Sequence, residues 1–204
     1  MPKPLVAVET IYDAALDLLD ERGAEALSAR NLAAALKCST RTLYQQVGKR
    51  EALVAQLIAH YLAGRDLVFE RDADWRVTAR NWSLALRGAL LAHSNLARLM
   101  TTEHREPIAD YATELLKALL AAGFERPLAL RSVRVLVNVV INLTISEIIT
   151  TEHGSTQSHA AAQGLRADDL AIAGRATRAG NPPETFDNTL RWLLIGIAAE
   201  RDGQ

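Results

Sequence analysis

Three side chains in one short segment carry chemistry suited to reading the edges of base pairs: Arg41, Gln45 and Gln46, within the run Thr40 to Gln46. A guanidinium offers a rigid pair of donors that matches the acceptors of guanine, and a primary amide both donates to and accepts from adenine. Arg and Gln on one helix face are therefore groups for major-groove recognition. Around them Ser28, Arg30, Ser39, Thr40, Thr42, Tyr44 and Lys49 supply hydroxyls and cations of the kind that meet phosphates, fixing register and adding salt-dependent affinity. From Ser28 to Arg50 there are five basic residues (Arg30, Lys37, Arg41, Lys49, Arg50) and no acid, so this segment is +5, the chain is −1 and the remainder sums to −6. A basic patch confined to one stretch of a near-neutral chain is the footprint of a phosphate-neutralising surface. The plainer alternative is a solvated basic face with Tyr44 packed in the core.

Positioning such a face takes two short helices and a tight turn, and the residues for both are present. Ser28 is an N-cap with Leu27 and Leu32 as a hydrophobic staple across it, and Ser39 repeats the device with Cys38 and Leu43. Leu32, Ala33 and Leu36 share one helical face, with Ala33 small enough for a second helix to cross closely. Leu5 to Arg22 places Val8, Ile11, Ala15, Leu18 and Leu19 at helical spacing and ends at Gly23, a first helix that braces this helix-turn-helix. A further helix carrying Leu53, Leu57, Ile58, Tyr61 and Leu62 to about Val68 would link the head to the rest of the chain.

In combination these residues resemble the N-terminal domain of the TetR family of transcriptional regulators. The Leu43-Tyr44 pair in the second helix and the run Lys49-Arg50-Glu51-Ala52-Leu53 opening the next helix match that family's pattern in order and spacing. Lys37 stands where the turn usually carries Gly, and Val47 where Phe is usual, so Lys37 must take up the turn's backbone without glycine's freedom. The C-terminal half is similar, more loosely, to the tetracycline-repressor type of domain: Trp75 opens the long helix, an Ala-Leu-Leu-x-His stretch ends it at His93, and a Phe-x-x-x-Leu pattern begins at Phe186. In the tetracycline repressor a histidine binds drug-chelated magnesium; the corresponding position is Met100, and a thioether is a poor ligand for a hard cation. The resemblance implies a ligand-responsive repressor that binds operator DNA as a homodimer and is released by a small-molecule effector.

Composition points the same way. Gly and Pro total 17 of 204 residues, below average usage, and Ala and Leu abound, which predicts an all-α protein. The expected division is a helix-turn-helix domain over residues 1–50 and a helical effector-binding and dimerisation domain over residues 51–204. A single cysteine forms no internal disulfide, and the N-terminus lacks a signal-peptide apolar core. The longest uncharged apolar run in the C-terminal half, Val135 to Ser146, is 12 residues, short of the ~20 that span a bilayer. The expectation is a cytoplasmic protein with no membrane partner.

Beyond the head the pattern predicts a linker over Glu70–Asp74 and a long helix from Trp75 with Trp82, Leu86, Leu90 and His93 on one stripe. A short helix near Leu96–Thr101 follows, then helices opened by Pro107 and Pro127 and a last helix from Glu184 to about Glu200. Glu152–Pro183 reads as a long connection holding one short helix over Ala167–Ala176. Leu128–Thr150 is apolar on most of its circumference, which implies burial on two sides; with the last helix it would build a four-helix dimer interface.

An effector, mostly apolar, is expected between the helices that begin at Trp75, Pro107 and Pro127, near Trp82, His93, Met100, Asn138 and Asn142. Asn138 and Asn142, one turn apart, either hydrogen-bond such a ligand or bridge a dimer. His93 and His104 form no ligand set at metal spacing, so no metal or cofactor is expected. Cys38 suits a small apolar staple better than a redox sensor. With no nucleophile–base pair or carboxylate dyad, an all-α enzyme with a His-lined cleft is the weak alternative, and an architectural DNA-binding protein without effector the stronger one.

Overall fold

Helical apolar spacing, polar caps and positive-φ stops divide the described residues into helices and the short segments that join them. The computed structural model describes residues 6–64, 67–100, 108–153 and 182–203, and among them there is no strand. The order is α1 (Val8–Arg22), a 3-10 turn (Ala24–Ala26), α2 (Ala29–Ala35), α3 (Thr40–Val47), α4 (Arg50–Gly64), α5 (Trp75–Ala92), α6 (Ser94–Arg98), α7 (Ala109–Ala121), α8 (Arg126–His153) and α9 (Pro182–Asp202).

Both serine caps form as expected. Ser28 Oγ accepts from the Asn31 amide at 3.2 Å and Ser39 Oγ from the Thr42 amide at 3.1 Å. The turn after α2 closes with Lys37 N–H donating to Ala34 and Cys38 N–H to Ala33, a Schellman-type stop that needs a left-handed residue. Lys37 supplies it at φ 52°, the one non-glycine positive φ among the described residues. Ile11, Ala15, Leu18 and Leu19 of α1 then pack with Leu27, Leu32, Leu43, Val47, Leu57 and Ile58 into a core continuous with that of the body. Burying each such side chain contributes about 1.5 to 3 kcal/mol, more than helices this short supply by propensity.

In the body α8 packs against α5, α7 and α9. It is longer than the sequence suggests, and the window Arg126–Thr151 is by length and composition apolar enough to cross a membrane, so the 12-residue run understated it. Its apolar residues have partners here: Leu128, Ala129, Leu136, Val140 and Ile141 lie in the core. The expectation of burial on two sides is only half met within one chain, because Leu130, Val135 and Ile149 are exposed.

Boundaries shift elsewhere. The α4 helix ends at Gly64 and not near Val68, and residues 67–74 run without helix to Asp74, whose carboxylate caps α5 by accepting from the Arg76 amide. The α6 helix spans Ser94–Arg98. The helix expected over Ala167–Ala176, Pro107 and His104 lie outside the described residues.

Candidate nucleic-acid interface

The second helix of the head, α3, is amphipathic by sequence: Leu43 and Val47 are buried, while Arg41, Gln45 and Tyr44 project outward, Tyr44 with 52% exposure. Tyr44 is therefore a surface group and not a core one. Arg30 on α2 and Lys49 before α4 are also exposed. No ion pair within the described residues engages Arg30, Arg41 or Lys49, which leaves these cations available to an external anion.

Other residues of the patch do structural work. Ser28 and Ser39 hold caps, and the Thr42 hydroxyl lies 2.8 Å from Ser39 Oγ. Arg50 donates to the carbonyls of Leu27 and Ala24, pinning the start of α4 to the entry of α2. Gln46 departs from the base-reading expectation. It is half-buried, its Nε2 donates to the Val6 carbonyl at 2.5 Å, and its Oε1 is buried without a partner among the described residues. Five residues after Arg41, it has rotated round the helix toward α1, so it braces the chain's entry to α1. Cys38 is half-buried against the core, and no group of three or more His, Cys, Asp or Glu residues among those described could hold a metal.

Behind this face two seams tie head to body. At the first, Asp20 of α1 meets His93 Nδ1 at 2.6 Å, and Asn95 Nδ2 donates to the Leu19 carbonyl at 2.8 Å. His93 also lies edge-on to Tyr61 of α4, with ring centres 4.6 Å apart. At the second, the linker after α4 is held by α7. Phe69 stands edge-on to Tyr111, and Arg71 pairs with Glu114. Tyr111 in turn stacks on Trp82 at 4.9 Å; the indole donates to the Tyr111 carbonyl and the phenol to the Trp82 carbonyl, each at 2.9 Å. Burial pushes the Tyr111 phenol well above its ordinary range. The hydrogen bond from Lys117, followed by the nearby charges of Lys117 and Arg71, holds the Glu114 carboxyl below its usual value.

The five residues expected to form one effector site do not converge. Trp82 is wholly buried and fills the space between α5 and α7, since its stacking and paired hydrogen bonds to Tyr111 are better met than any open cavity allows. His93 and Met100 line a closed cleft of about 10 Å3 beside α4, too small for a ligand. Asn138 lies on the rim of a groove between α7 and α8, its amide donating to the Arg134 carbonyl, and Asn142 is exposed on another part of α8. Sequence reading missed both seams and the Arg87–Glu147 pair that joins α5 to α8, because such partners lie 60 and 73 residues apart and no local pattern links them.

An exposed Arg/Gln/Tyr face on the second of two capped helices, carried on a helical body, defines a helix-turn-helix DNA-binding regulator. Residues 11–57 match the bacterial regulatory proteins of the tetR family, and residues 70–201 the tetracyclin repressor-like C-terminal domain. The chain belongs to the TetR family. It is 30% identical to an HTH-type transcriptional regulator of Saccharopolyspora erythraea over 97% of this chain and 86% of that one. With the class E tetracycline repressor protein of Escherichia coli the identity is 28%, over 97% and 93%. Among solved structures, a possible TetR family transcriptional regulator from Streptomyces coelicolor is 27% identical with a TM-score of 0.78, over 95% of this chain and 99% of that one. Apo ActR from the same species superposes with a TM-score of 0.79 at 22% identity, over 98% and 99%, a likeness of fold.

Proposed function

We propose that the protein is a repressor that binds palindromic operator DNA as a homodimer in the cytoplasm and is released when a small molecule occupies its body. The observation that carries the DNA half is the outward face of α3, where Arg41 and Gln45 are free to meet base edges and Tyr44 to meet a phosphate. Arg30, Thr40 and Lys49 flank them as phosphate contacts, with Ser28, Ser39 and Thr42 acting chiefly through the caps that set the helix ends.

Support for two copies comes from the apolar side chains that α8 and α9 leave outside. Val135, Asn142 and Ile149 recur every seven residues along α8, and Trp192 and Ile195, with 63% and 58% exposure, stand on α9. Such stripes match a helix–helix seam, in which Asn142 would fix register across the dimer. Two recognition helices related by a two-fold and about 34 Å apart would enter successive major grooves. The ligand half draws support from similar proteins solved with ligands, such as ActR with actinorhodin, and from the grooves of the body that an architectural DNA-binding protein would not need.

Recovery of the genomic fragments that the protein retains, followed by binding at graded salt, tests this reading. The expected outcome is a symmetric site bound with a steep negative salt slope by a dimer. A stable monomer at micromolar concentration, or retention of fragments with no common sequence, contradicts it.

A further inference from the structure

A groove of about 630 Å3 runs between α7 and α8. Its walls are apolar: Ile108, Ala109 and Ala112 from α7, and Leu130, Val133 and Val137 from α8. Only Arg131, Arg134 and Asn138 bring polar groups to the rim. Volume and lining both fall within the usual range of small-molecule sites, roughly 300 to 1,000 Å3 with a few orienting polar atoms. The charges select among ligands. Among the described residues Arg131 is engaged by Glu200 of α9, whereas the Arg134 guanidinium has no acidic partner and no acid lines the groove. An uncompensated guanidinium beside apolar walls matches a carboxylate by two parallel hydrogen bonds and disfavours a cation.

The far side of α7 gives occupancy a consequence. On either side of the groove residue Ala112 in sequence, the same helix presents Tyr111 to Phe69 and Trp82, and Glu114 to Arg71. Phe69 and Arg71 belong to the linker that follows α4, the helix carrying the head. The other wall, α8, is braced by α5 and α9 through Arg87–Glu147 and Arg131–Glu200, so α7 is the wall that connects directly to the linker.

We propose that this groove is an effector site for a small apolar monoanion, an aromatic or alkyl carboxylate, with its acid group held by Arg134 and its occupancy passed from α7 through the linker to α4. The proposal rests on reading the protein as a ligand-responsive regulator, and charge complementarity singles out the occupant.

Calorimetric titration of the full chain with 1-naphthoate and decanoate, beside their neutral amides, tests it. Each acid should bind at least about 10-fold tighter than its amide, Arg134→Gln should remove that difference, and Arg134→Lys should keep much of it. Because Arg134 is exposed, the melting temperature of Arg134→Gln should stay that of the unmodified protein, which separates lost binding from lost folding. Saturating naphthoate should weaken binding to the selected DNA about 5- to 150-fold. Absence of saturable heat, as when a second copy of the chain fills the groove, overturns the site, and so does equal binding to Arg134→Gln. Unchanged DNA affinity at saturation overturns its regulatory role. Should the unliganded protein select no DNA, the regulator reading fails, while the Arg134-dependent preference for acid over amide is still read independently.

Discussion

The two seams between head and body are built from opposite materials. The Asp20–His93 and Asn95–Leu19 contacts are polar and partly exposed, with His93 at 21% and Asp20 at 41% side-chain exposure, whereas the Phe69–Tyr111–Trp82 stack has Trp82 at 0%. Solvent competes for the first kind of contact and cannot reach the heart of the second. The polar contacts of the first seam therefore exchange for water at little cost and suit a joint that must yield when the head tilts. The aromatic seam moves as a unit and suits a rod that carries displacement from α7 into the linker. A regulator that switches needs both, a joint and a rod.

The largest expected effect lies in the aromatic seam. Trp82→Ala should destabilise the protein by about 3 to 5 kcal/mol, since it leaves a cavity and removes the indole that donates to the Tyr111 carbonyl. Chemical denaturation monitored by circular dichroism reads this directly, and a loss below about 1 kcal/mol would mean the stack is not the body's keystone. Tyr111→Phe removes one buried hydrogen bond and should cost about 1 to 2 kcal/mol.

The same pair predicts an alkaline limit. The Tyr111 pKa is raised above the ordinary 10.0, so its contribution is complete below that value and declines as pH rises from there toward the folded-state pKa. Denaturation midpoints should fall above pH 10 in the unmodified protein and fall less in Tyr111→Phe. Glu114 has the opposite sign. Its lowered pKa keeps the Arg71 clamp ionised at neutral pH and lost only as pH falls through the depressed value.

At the proposed dimer face, Trp192→Glu or Ile195→Glu should give a folded monomer, because both side chains are exposed. Leu194→Glu, at 6% exposure, should unfold the body instead. Light scattering beside thermal melts distinguishes the two outcomes. In the polar seam, Asp20→Asn should cost no more than about 1 kcal/mol of stability yet alter the response of operator affinity to ligand. An equal stability loss from Asp20→Asn and Trp82→Ala would erase the contrast between joint and rod. Smallest of all, Lys37→Gly should stabilise the head by about 0.5 to 1 kcal/mol by relieving the left-handed lysine.

What was legible in the sequence followed the range of the interactions. Ser28, Ser39 and Lys37 act within five residues of themselves, so caps, turn and the exposed face of α3 could be read from spacing alone. Gln46 was misread because its partner, the Val6 carbonyl, is 40 residues away. Trp82 was misread for a related reason: an aromatic on a helix stripe fits a pocket or a core equally well, and only Tyr111, 29 residues on, decides for the core. Asn142 looked buried because α8 is apolar all round, and its exposed position emerged only once α5, α7 and α9 were seen to cover the other sides. Arg134, lone in the sequence, gained meaning only from the α7 wall opposite it.

The proposed operator selection by this protein requires α3 to read bases through Arg41. Titrating the protein and its Arg41→Ala variant against the selected operator and a panel of single-base variants, by fluorescence anisotropy at one salt concentration, tests this most directly. The predicted result is a loss of about 1 to 3 kcal/mol on the native site that disappears on duplexes altered at one base pair per half-site, while Lys49→Ala weakens every duplex alike. Equal loss on all duplexes for Arg41→Ala would contradict it and reduce the face of α3 to a phosphate contact.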